Sequence, residues 1–130
     1  MYWFLFLLGL ALLSFAFVVW SLRRRRLHIP LLLKQRLREA WEEAVEVKDP
    51  AKRVLEAEKV TDAVLKALGC SGTFAEKLQS MVPHLPGAKD IWNAHRLRNR
   101  IAHEMNVRIS RDQSDRALQA FAQIVHRYLS

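Results

Sequence analysis

The residues best suited to chemistry lie in Arg96-Leu97-Arg98-Asn99-Arg100-Ile101-Ala102-His103-Glu104. Histidine titrates near neutrality, with an unperturbed pKa of about 6.5, so His103 suits general acid or general base work. Arg98 keeps its charge at any working pH and presents a planar fork that matches phosphate oxygens. Asn99 stands four residues before His103, on the same face of a helix, where it can orient the imidazole. Such a set holds a phosphate and moves a proton without a metal. Helical geometry complicates the pairing, because at about 100° per residue Arg98 and His103 diverge by about 140°. Ala94, Leu97, Ile101 and Met105 mark an apolar side with Arg98 on its flank. His103 shares the polar side with Arg96, Asn99 and Arg100. The two converge only if Arg98 bends round, if the helix breaks near Ala102, or if two subunits each supply one half. The plainer reading pairs Arg98 with a carboxylate and leaves His103 capping a helix end.

Other chemistries find less to work with. His95 and His103 are eight apart, with no Asp, Glu or Cys joining them at ligand spacing, so no zinc site and no cofactor are expected. The single Cys, Cys70, follows Gly69 without a neighbouring His or a CxxC partner, which argues against a reactive thiol and excludes an internal disulfide. His28, His84 and His126 are scattered and read as surface or connector residues. Trp41 and Trp92 read as core anchors rather than base-stacking platforms. Glycine-rich phosphate loops, nucleophile elbows and paired carboxylates are absent from the sequence.

The elements that must position these residues are helices. Four Gly and four Pro in 130 residues leave too few tight turns for a sandwich or barrel. Apolar residues at 33, 37, 40/41, 44 and 47 trace one helix face. Asp49-Pro50 starts a second helix, with Asp as the cap and Pro in its first turn, running to Leu68 before a left-handed Gly69. Thr73 with Glu76 forms a capping box opening a short helix to about Met81. Pro83 and Pro86-Gly87 make a connector, and a further helix begins near Ala88. Ser110 with Gln113 is a second capping box, opening a last helix to Tyr128. Only Asn106–Ile109 has room to be extended. The last helix carries two adjacent stripes, Ala117, Phe121, Ile124 and Leu118, Val125, Leu129, broader than one neighbouring helix covers. An isologous homodimer is expected to bury the surplus.

Residues 1–22 carry no charge, so all 21 Lys+Arg and all 13 Asp+Glu lie beyond them. As a helix this segment spans roughly 33 Å at 1.5 Å per residue, enough for a hydrocarbon core of ~30 Å. Tyr2, Trp3 and Trp20 suit the two aromatic belts. Arg23, Arg24, Arg25 and Arg26 follow the apolar run, whereas a signal peptide carries its positive charges first, so a retained anchor is expected. The arginines serve as a stop-transfer signal and contact anionic lipid at the membrane surface. The basic cluster places the N-terminus outside and the C-terminal domain in the cytosol, across the inner (plasma) membrane. Setting the four arginines aside leaves 17 Lys+Arg against 13 Asp+Glu, so the formal +8 overstates how basic the domain is. Net charge alone therefore makes no case for nucleic acid. The expected organisation is a transmembrane helix over 1–22, a basic linker over 23–30, and a cytosolic bundle of four to five helices over 31–130.

Arg98, Asn99 and His103 form an Arg–Asn–x3–His pattern that resembles the R-x(4–6)-H motif of the HEPN superfamily, small all-helical domains that commonly dimerise. The second motif position is usually Asn, Asp or His, and Asn99 agrees. The motif also sits late in a short bundle, before a last amphipathic helix, and the resemblance covers about residues 35–129. It implies metal-independent endoribonuclease activity across a dimer interface, with Arg98, Asn99 and His103 as the catalytic set. Two functional classes follow. One is a membrane-anchored module that dimerises and binds RNA or a protein partner, with ribonuclease activity as its sharpest form. The other is a purely structural protein-interaction module. If the topology is right, a reporter that works only in the cytosol should be active when fused after Ser130; activity confined to an export-dependent reporter would reverse the orientation.

Overall fold

A computed structural model describes residues 1–25 and 28–130. Among these residues the chain is all-helical: α1 (Tyr2–Arg25), α2 (Leu31–Glu46), α3 (Pro50–Ala67), α4 (Phe74–Met81), α5 (Ala88–His103) and α6 (Arg111–Leu129). A short 3-10 turn, Val82–His84, continues from α4. The first helix contains a 21-residue apolar stretch, Tyr2–Leu22, with a mean hydropathy of 2.5, long and apolar enough to cross a membrane. The expected arginine block ends at Arg26, which lies outside the described residues.

Local chemistry sets each helix boundary. Asp49 accepts from the Ala51 N–H at 3.1 Å and Pro50 occupies the first turn of α3. That helix stops where Gly69 takes φ +90°. There the Gly69 N–H reaches Lys66 O and the Cys70 N–H reaches Leu65 O, the paired bonds of a Schellman ending. Reciprocal capping boxes open α4 and α6. Thr73 Oγ1 accepts from Glu76 N–H at 3.2 Å while Glu76 Oε2 accepts from Thr73 N–H at 2.7 Å. Ser110 and Gln113 repeat the exchange at 3.1 and 2.9 Å.

Packing centres on α6, which lies against α2, α3 and α5, while α3 also meets α4. Phe121, Ile124, Val125 and Leu129 of α6 are buried with Val54, Val64 and Leu65 of α3, and Trp41 joins them from α2. Both apolar stripes of α6 are therefore covered within one chain. The surplus face that argued for a homodimer is absent, because three helices rather than one close over it.

Two further expectations change. Leu33 belongs to no buried stripe and stays exposed, since α2 turns its core face inward only from Leu37 onward. Met105 does not extend the apolar side of α5; the helix ends at His103 and Met105 is 91% exposed. The connection after it holds no strand. Asn106 adopts φ +60°, a left-handed conformation that Asn tolerates better than most residues, and reverses the chain.

The packing separates core from boundary in energy. Phe121→Ala should destabilise the folded protein by about 3–5 kcal/mol through lost burial and a residual cavity. Thr73→Ala should cost only about 1 kcal/mol through a lost cap. Urea denaturation of the detergent-solubilised protein, followed by circular dichroism, measures both. Equal losses would displace Phe121 from the centre of the core.

Candidate functional site

The polar centre of the bundle begins on α3. Glu58 falls on the buried stripe of that helix, between Val54 and Leu65, and its side chain is 6% exposed. An ionised carboxylate in such a place needs donors, because burial alone strongly disfavours the charge. α5 provides them. His95 Nδ1 lies 2.8 Å from Glu58 Oε2, and Arg98 Nε lies 3.1 Å from Oε1. The Arg98 contact is ionic rather than an aligned hydrogen bond, since its buried Nε has no bonded acceptor. Asn99 Nδ2 is 3.2 Å from His95 Nε2, and Arg98 Nη1 donates to Asn99 Oδ1 at 3.4 Å. A proton on Nδ1 lets the imidazole donate to Glu58, while its Nε2 faces the Asn99 amide. The circuit Glu58–His95–Asn99–Arg98–Glu58 closes on itself.

Aromatic rings hold the imidazole in place. The Phe74 ring lies 4.9 Å from it, centroid to centroid, and the Trp92 ring lies 6.1 Å away at 70°. Phe74 in turn meets Phe121 edge-on at 6.0 Å, which ties the site to the core. Helix α4 enters through its capping box: Gly72, at φ +92°, leaves room for the Glu76 carboxylate, which a Cβ there would meet at 2.0 Å. Lys77 Nζ reaches back to Asp62 Oδ1 at 2.8 Å.

Above the circuit lies an open cleft of about 840 Å³ between α3, α4 and α5. Its cations Lys59, Lys77 and Arg98 are matched by Glu56, Glu58 and Asp62. The cleft is therefore electrically balanced. Burial pushes the Glu58 carboxyl above its ordinary value of 4.5, and the charge of Asp62 adds to the rise. The His95 hydrogen bond and the positive charges of His95 and Arg98 oppose it without cancelling it.

Of the three residues singled out by spacing, the structure brings Arg98 and Asn99 together and leaves His103 apart. Helix α5 is continuous from Ala88 to His103, so no break near Ala102 swings the histidine round. His103 is exposed on the last turn and does not line the cleft. Arg98 pairs with a carboxylate, as the plainer reading of the spacing has it. The histidine beside Arg98 is His95, four residues before Asn99 rather than four after it. Glu58 and His95 were not marked by spacing rules. The available signal was a carboxylate inside the apolar stripe of α3, which requires a buried donor elsewhere in the fold. Among the described residues no group of three or more His, Cys, Asp or Glu side chains is placed to hold a metal.

No protein family, curated protein or solved structure matches this chain. The resemblance to HEPN domains thus rests on the motif residues and the helix order.

Glu58 makes stability depend on pH in a defined sense. The folded protein holds this proton to higher pH than the unfolded chain does. Its stabilising contribution is fully present below about 4.5 and is lost as pH rises through the raised value. Glu58→Gln keeps the shape and removes the titration. The wild-type stability minus that of the variant, from denaturant melts, should become steadily less favourable from acid toward neutral pH. A difference that does not vary with pH would contradict the raised pKa.

Proposed function

We propose that this protein is a membrane-anchored, HEPN-like helical module that binds RNA on the cytosolic side of the inner (plasma) membrane. The observation that carries the reading is how α5 sorts its polar residues. His95, Arg98 and Asn99 turn inward to Glu58, while Arg96, Arg100 and His103 form an exposed stripe at i, i+4 and i+7. Arg96 bonds to Asn93, and Arg100 pairs loosely with Glu104 at 3.8 Å, so both guanidinium groups stay in solvent. Arg108 and Arg111, also exposed, follow in the connection and the first turn of α6. A stripe of arginines with one histidine suits phosphate oxygens on a flexible strand.

Binding is favoured over cleavage by the state of the inner residues. Both nitrogens of His95 are engaged, and Arg98 is neutralised by Glu58. Both are committed to partners inside the bundle in this arrangement. Catalysis by Arg98 and His103 needs Arg98 released from its carboxylate and a histidine brought from a second subunit. With the α6 stripes covered inside one chain, the proposed binding unit is the single chain on its anchor.

The test uses full-length protein in phosphatidylcholine nanodiscs and a fluorescent single-stranded RNA. Anisotropy titrations should show affinity falling with salt, and the Arg96→Ala/Arg100→Ala double variant should flatten the log–log slope by about 1.4, at ~0.7 per phosphate contact. Absence of binding at low salt would remove RNA and leave the protein-interaction module. Cleavage in EDTA that disappears in His103→Ala would show instead that the motif is catalytic.

A further inference from the structure

We propose that the first turn of α2, Leu31–Leu33, lies in the lipid interface of the bilayer that α1 crosses, so that the bundle is docked on the membrane rather than free to swing beneath it. The inference rests on α1 being a membrane span. It starts from three consecutive leucines that the bundle leaves uncovered: Leu31 is 81%, Leu32 63% and Leu33 38% exposed. Apart from α1 and Met1 just before it, the only other large apolar side chain left in solvent among the described residues is Met105, in a different loop. Runs of exposed leucine are uncommon on a water-facing surface unless something covers them.

Chain continuity selects what covers them. Ile29 is buried and belongs to the core of the bundle. Only residues 26–28 therefore separate the end of α1 at Arg25 from a residue fixed in the bundle. Four Cα steps reach at most about 14 Å, even fully extended. The leucines begin two residues after Ile29. They are thus held within reach of the headgroup layer into which α1 must emerge, a zone several ångströms deep on each side of the hydrocarbon.

Charge agrees with this placement. Along α2 the basic residues come first, Lys34, Arg36 and Arg38, and the acidic ones follow, Glu39, Glu42, Glu43 and Glu46. Arg38 bonds to the neutral backbone carbonyl of Leu129, so its positive charge is not cancelled. With Arg23–Arg26 just upstream, the membrane-proximal end of the domain is cationic and its far end is not. Leucine beside Lys and Arg is the composition of a helix segment that lies in an anionic interface, its apolar side chains below the phosphates and its cations among them. A short leash, an uncovered leucine turn and a matching charge gradient converge on lipid as the occupant.

Spin-label accessibility on the full-length protein tests this. In a Cys70→Ser background, nitroxides are placed singly at Ser14→Cys in α1, Leu32→Cys in the first turn of α2, and Gln119→Cys on the exposed side of α6. Each protein is reconstituted in vesicles of phosphatidylcholine and phosphatidylglycerol, and circular dichroism checks that its helicity is unchanged. The ratio of collisions with oxygen to collisions with a water-soluble nickel complex should be high at position 32, close to that at 14 and well above that at 119. A low ratio at 32 beside a high ratio at 14 would overturn the docking and leave the span standing. A low ratio at 14 would overturn the span and the docking with it. Exclusion of both reagents at 32 together with spin–spin broadening would show a second copy covering the leucines, which also overturns the lipid assignment.

Discussion

The arrangement of the bundle follows from one buried carboxylate. Glu58 stands on the core side of α3, and the free energy of placing a charge there is tolerable only if donors are fixed around it. His95 and Arg98 meet that demand from α5, and Asn99 closes the circuit behind them. Together with the burial of Ile91 and Ala94, this requirement sets the rotation of α5 about its own axis. Once His95 and Arg98 face inward, Arg96, Arg100 and His103 must face out. The division of α5 into a structural face and a solvent face thus follows from its buried apolar residues and its polar partners on α3 together.

The same logic recurs around α3. Arg53, buried near its start, donates from Nε to the Val45 carbonyl at 2.9 Å and pairs with Asp115 of α6. Lys77 of α4 pairs with Asp62. Apolar contacts among Val54, Leu65, Phe121 and Ile124 supply cohesion but are non-directional. The ion pairs and hydrogen bonds add direction, each linking α3 to a different neighbour: α6 through Asp115, α4 through Lys77 and α5 through His95. Core and polar pairs together define one packing of the helices.

At the other end of the domain, α2 and α6 are joined by long cationic side chains. Lys34 Nζ bonds to Ser130 O at 2.5 Å and Arg38 Nε to Leu129 O at 3.2 Å, answering carbonyls that the end of α6 leaves without helical partners. These bonds hold the close of α6 against the start of α2, the part of the bundle that chain continuity keeps nearest α1. The polar circuit of α3 and α5 is closed within the protein interior, whereas the leucine turn of α2 is left uncovered by the bundle.

Much of this architecture was legible in the sequence, because the signals concerned act over a few residues. Asp49-Pro50, Gly69, Thr73 with Glu76 and Ser110 with Gln113 mark helix ends through bonds made within one turn. The charge-free run before Arg23 defines a helix able to span a membrane by length and composition alone. What spacing could not supply was which faces meet. Two stripes on α6 look like surplus until α2, α3 and α5 are seen to cover both, and Leu33 fits the stripe of α2 until the helix is placed. Spacing brought Arg98, Asn99 and His103 into view as one motif, yet the third helix places Glu58, forty residues upstream of Arg98, at the centre of the polar site. Local hydrogen bonds and apolar periodicity are properties of short segments and are written in order along the chain. The partner of a buried charge is chosen by the packing of helices distant in sequence, and only the tertiary structure decides it.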